Sequence, residues 1–117
     1  KINVDGAVAA ICRDQTGLYL GSSSVFFQGT NDPHILETYA CREALALAED
    51  LVVIAIYVAS DCQGVVDDIN RGTGGPNAAT IHEITNHCNS FISCSFIHEH
   101  RNFNFEAHNL AKFACNL

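Results

Sequence analysis

Basic residues are scarce in this 117-residue sequence. It has two lysines, Lys1 and Lys112, and four scattered arginines, Arg13, Arg42, Arg71 and Arg101, against 13 acids, for a net charge of −7. A chain so poor in cations lacks the basic footprint that phosphate contacts need. A surplus of acids suits instead a hard divalent cation, which offsets their repulsion. No apolar run reaches the length of a membrane span. No signal-peptide pattern opens the chain, and its start inside a strand pattern is expected of a piece of a longer protein. No CxxC pair suggests a zinc ribbon or a redox motif. Internal repeats, low-complexity tracts and domain linkers are also absent, so residues 1–117 read as one domain.

Six cysteines are present, at positions 12, 41, 62, 88, 94 and 115. Most lie inside apolar segments (AAICR, YACREA, FISCSF, KFACN), where cysteine acts as a small hydrophobe. Free thiols in a reducing compartment, cytosol or nucleus, are therefore expected rather than a disulfide framework. With 48% hydrophobic and 16% charged residues the chain can build a core.

Periodicity gives an element order. Lys1–Val4 and Ala7–Cys12 read as strands. RDQTG is a turn, and the aromatic and β-branched run Leu18–Gln28 is a third strand. GTNDPH breaks the chain. ILETYACREALALAEDL then carries Leu36, Ala40, Ala44, Leu47 and Leu51 at helical spacing. VVIAIYVAS reads as a strand buried on both faces. CQGVVDDINRG is a short helix closed by Gly72, GTGGPN a loop, and Ala78–Ser90 a helix. Phe91–Ile97 is a strand and HEHRN a loop. Asn104–Cys115 is a helix with Ala107, Leu110, Ala111 and Ala114 on one face. An antiparallel meander followed by alternating helices and strands implies an α/β domain, with one mixed sheet flanked by helices.

Three acids hold special places in that order. Asp5 ends strand 1, Glu37 lies in the first turn of the long helix, and Asp61 follows the buried strand. Ligands of open α/β sheets gather beyond such strand ends. Three convergent carboxylates would select Mg²⁺ or Mn²⁺. Each acid also has a plainer reading. Asp5-Gly6 would make a two-residue hairpin turn, Glu37 would favour the helix dipole, and Asp61 would cap the next helix. Asp67 and Asp68 read as a solvated helix face. His82, His87, Cys88, His98 and His100 match no zinc spacing, and Cys62 reads as a core cysteine rather than a reactive one.

Four segments in order, INVDGA, LETYACREALALAEDL, VASDCQGVVDDIN and HRNFNFEAHNLAKFA, resemble the ribonuclease H-like domain of the plant reverse-transcriptase type, related to domains of non-LTR retroelements. The resemblance implies a five-stranded mixed sheet, with strands 1–3 antiparallel and then parallel strands, flanked by helices. It implies hydrolysis of the RNA strand of RNA–DNA hybrid. Asp5, Glu37 and Asp61 match the ligands of two Mg²⁺ or Mn²⁺ ions, which in such sites lie roughly 3.5–4 Å apart. His98, in the loop after the last strand, matches a histidine that helps to release product, and His100 competes for that role. Asn104 matches the residue that opens the last helix, where it can serve as a cap. Arg101 is a candidate phosphate contact, or else pairs with an acid such as Glu99.

The pattern departs from the family in three places. His108 stands where many catalytic relatives carry a fourth carboxylate; imidazole is a poor Mg²⁺ ligand, so the second metal site is expected to be weak. Relatives carry more residues between the first two strands. Either such residues are missing from this sequence and Asp5 lies in the sheet, or strand 1 pairs unusually, or Asp5-Gly6 is itself the turn; the normal flanking segments favour the first. RGTGGPNAATIHEITNH has one Arg and no Lys, so affinity for hybrid is expected to be weak and salt-sensitive. These departures keep an alternative open: a catalytically weak or inactive domesticated domain that binds nucleic acid or a protein partner.

Overall fold

The computed structural model describes residues 1–5, 9–14, 16–24, 30, 32–73 and 75–100. Among them the chain forms β1 (Ile2–Asp5), β2 (Ala9–Arg13), β3 (Tyr19–Ser24), α1 (Pro33–Asp50), β4 (Ala55–Ser60), α2 (Gln63–Arg71), a 3₁₀ turn (Gly75–Asn77), α3 (Ala78–Cys88) and β5 (Ser93–His98). The element order is the one periodicity implies as far as residue 98. The expected last helix, with Arg101, Asn104, His108 and Cys115, lies outside the described residues.

The strands join in the order β3-β2-β1-β4-β5. β1 pairs antiparallel with β2, and β2 with β3. β1 and β4 run parallel, as do β4 and β5. Thus β1 is the strand at which the sheet changes sense. Asp5 belongs to β1 and stands opposite Ala9. Asp5 is therefore a strand residue of the sheet rather than part of a two-residue turn.

The helix α1 starts two residues before the ILETY pattern. Asp32 is its N-cap, accepting the N–H of His34 at 2.9 Å and of Ile35 at 3.4 Å, with Pro33 in the first turn. An aspartate cap followed by proline is a strong start signal, because both satisfy or remove orphan N–H groups. Ala40, Cys41, Ala44, Leu45 and Ala48 are fully buried and meet Ile2, Ala10, Cys12 and Val58 of the sheet in one core. Small residues along this face let the helix lie close to the strands.

β4 is buried on both faces only at Val58, Ala59 and Ser60. Before that it alternates, with Ile56 buried and Ala55 and Tyr57 exposed, because an apolar run does not by itself supply a second covering layer. Gly72 ends α2 at φ +72°, the left-handed cap that glycine favours. The α1–β4 connection makes the same kind of bend with Val52, at φ +58°.

Candidate active site

The C-terminal edge of the parallel strands collects the residues of interest. Val4 stands beside Ser60 across the β1–β4 pair. Asp5, the last residue of β1, and Asp61, the residue after β4, follow that pair at the same end of the two parallel strands. Ser60 also stands beside His98 at the end of β5, and Glu99 N–H donates to the Ser60 carbonyl at 2.8 Å.

Glu37 reaches this edge from α1. It lies in the second turn, not the first, because the helix begins at Pro33; no acid occupies the first turn. Its carboxylate is 3% exposed and accepts a 2.5 Å hydrogen bond on Oε1 from Ser60 Oγ, itself 1% exposed. Ser60 Oγ in turn accepts the Cys62 N–H at 3.1 Å. A carboxylate this deep is costly unless partnered, and the serine hydroxyl is a partner that ties it to the end of β4. The dipole reading of Glu37 therefore gives way to a buried role. The capping reading of Asp61 gives way as well: the N-cap of α2 is Cys62, and Asp61 precedes it.

The electrostatics agree with this convergence. Burial pushes the Cys62 thiol above its ordinary range; the Val65 and Gly64 N–H groups oppose the shift, while Glu37 and Asp61 add to it. Burial likewise raises Cys41, and Glu37 adds to that. Two carboxylates from different elements thus act on one thiol at the helix start.

Other expectations fall out differently. His98 is the last residue of β5 and exposed, rather than a loop residue. Asp68 is not merely solvated: it pairs with His34 Nε2 at 2.9 Å and links α2 to α1, while Asp67 accepts from Gln63 at 2.9 Å on an exposed face. His87 pairs with Glu49 at 2.8 Å and Cys88 with Cys94, away from His98. Among the described residues no group of three or more His, Cys, Asp and Glu is placed to hold a metal. The Asp5 side chain, like His108, lies outside what is described; of the three acids, Glu37 is tied to the end of β4 through Ser60, and Asp61 is the next residue. The residue that sequence reasoning missed is Ser60. Its signal was a hydroxyl closing an otherwise apolar strand, next to the aspartate.

Comparisons with known proteins follow the same outline. A family model described as reverse transcriptase-like matches residues 2–114. The ribonuclease H1 of the halophilic archaeon Halobacterium salinarum superposes with a TM-score of 0.85 at 21% identity, covering 92% of this chain and 83% of that one. A ribonuclease H1 isolated from compost by a metagenomic approach gives 0.77 at 21% identity, covering 91% and 81%. The compost enzyme in complex with an RNA/DNA hybrid gives 0.74 at 20% identity, covering 87% and 79%. No curated protein matches the sequence significantly. No helix among the described residues is long and apolar enough to cross a membrane.

Proposed function

The chain belongs to the reverse transcriptase-like family, and on that premise we propose that it is a divalent-metal-dependent endonuclease cutting the RNA strand of RNA–DNA hybrid, of the plant retroelement-related kind and working in the cytosol or nucleus. The observation that carries this reading is the Ser60–Glu37 hydrogen bond. It ties the helix carboxylate to the last residue of β4, next to Asp61.

The donor set is all oxygen and all acidic, which fits Mg²⁺ or Mn²⁺ and not a thiophilic metal. Asp5, Glu37 and Asp61 would hold the cation, with His108 a weak ligand of a second one. When bound, such ions activate water and stabilise the leaving oxygen. The chain's own part is positional. Ser60 holds the Glu37 carboxylate in one orientation, and the β1–β4 register brings together the strand ends that carry Asp5 and Asp61. His98, exposed on the neighbouring strand, can exchange a proton with the departing product; His100 is the competing group. Arg101 and Asn104 are candidate contacts to the hybrid backbone.

The net charge of −7 favours a second reading, a module that binds nucleic acid or a protein without cutting. Incubation of end-labelled hybrid with wild type and Asp61→Asn in Mg²⁺ or Mn²⁺ separates the two. The nuclease reading predicts metal-dependent RNA cleavage that falls by at least about 100-fold in the variant. Wild type that binds hybrid or a partner but never cuts would establish the binding module instead.

A further inference from the structure

Cys88 and Cys94 lie at the other end of the sheet from the carboxylates. Their Sγ atoms are 2.9 Å apart, and both residues are half-buried free thiols. Cys88 is the last residue of α3, and Cys94 stands beside Ile56 near the start of β5.

The backbone holds the two sulfurs together. The turn between them is closed by the N–H groups of Asn89, Ser90 and Phe91, which donate to the carbonyls of Asn86, His87 and Cys88 at 3.2, 3.0 and 3.1 Å. Ser90 Oγ adds a 2.7 Å bond to the His87 carbonyl. Beyond the turn, Ile92 N–H donates to the Ile54 carbonyl at 2.8 Å and seats the chain on β4. The thiols are thus presented to each other by a closed turn rather than by two mobile side chains.

We propose that Cys88 and Cys94 are a site of reversible oxidation, forming an intramolecular disulfide that clamps α3 to β5 when the protein meets a low-molecular-weight disulfide such as glutathione disulfide. The chemistry balances in two exchanges. The Cys88 thiolate attacks one glutathione sulfur, giving a Cys88–glutathione mixed disulfide and one glutathione thiolate. Cys94 then loses its proton and attacks the Cys88 sulfur, closing the bridge and releasing the second glutathione. The two cysteines lose two electrons, the reagent gains them, and the two thiol protons end on the two glutathiones. Either thiol can donate the bond between the sulfurs. The exchange is written with Cys88 attacking first because that bond lowers its pKa, while the pKa of Cys94 is raised by the bond, then by burial and by the Cys88 charge.

The folded full chain is incubated with glutathione disulfide, quenched with iodoacetamide and mapped by mass spectrometry. The expected result is a loss of two hydrogens, about 2 Da, in a cross-linked peptide joining Cys88 to Cys94. Dithiothreitol reverses it, and the thermal midpoint rises in the oxidised form. Cys94→Ser, which removes the resolving thiol, should accumulate the glutathione adduct on Cys88. Stable mixed disulfides on wild type, a bridge between other cysteines, or no reaction at either residue would each overturn the proposal. The readout is mass, not cleavage, so the result does not depend on the nuclease reading.

Discussion

Ser60 is the residue on which the site's geometry turns. Its hydroxyl donates to a buried carboxylate and accepts a backbone N–H, so removing it takes a hydrogen bond from each. Ser60→Ala should lower unfolding free energy by about 1 kcal/mol, the net contribution of a typical intramolecular hydrogen bond, as measured by urea denaturation. An unchanged midpoint would mean that the bond contributes nothing. The sequence displayed this serine, but only the packing of α1 over β4 shows what it holds, because a hydrogen bond across 23 positions leaves no local pattern. Asp14 makes a second test at this scale. The Thr16 hydroxyl, then the Leu18 N–H, hold its carboxyl below the ordinary value of 3.8. A depressed pKa contributes stability above that value and loses it as pH falls through the folded-state pKa. Asp14→Asn should therefore flatten the pH dependence of stability below about pH 4, and a carboxyl titration by NMR that placed Asp14 at or above 3.8 would contradict the turn's role.

At the level of elements, the end of α1 carries a visible conflict. Val52 adopts φ +58° while 82% exposed, and its N–H and that of Val53 donate to the Glu49 and Ala48 carbonyls at 3.0 and 2.9 Å. The bend satisfies the helix end, yet a β-branched residue is costly in that left-handed region. Val52→Gly should stabilise the protein by about 0.5–1.5 kcal/mol, seen as a higher thermal midpoint; a lower midpoint would show that Val52 packs against something essential. The same element shows where sequence reading fails by a turn. The 3.6-residue pattern finds the buried face of α1 but not its start, because Asp32 and Pro33 are capping residues outside the periodic run. That offset put Glu37 in the first turn. Strand limits moved for a related reason: pairing, not apolarity, decides them. His98, for one, extends β5 to meet Ser60. Asp5 and Asp61 were legible because each stands at a strand's end, where a change of periodicity marks it.

For the molecule as a whole, the order of elements already implied one mixed sheet, since a meander followed by crossovers must change sense at its first strand. That change brings the strand ends that carry Asp5 and Asp61 to one end of the sheet, although 56 positions separate the two residues. Which carboxyl oxygens share a cation is a property of side-chain packing and leaves no trace in periodicity. The most direct measurement is the thermal midpoint of the full chain titrated with Mn²⁺. A ligand that binds only the folded state stabilises it by about 2.7 kcal/mol at a hundredfold excess over its dissociation constant. If Asp5, Glu37 and Asp61 form one site, the wild-type midpoint rises with Mn²⁺, and Asp5→Asn, Glu37→Gln and Asp61→Asn each abolish most of that rise. A wild-type midpoint indifferent to Mn²⁺, or single variants that respond as fully as wild type, would contradict it.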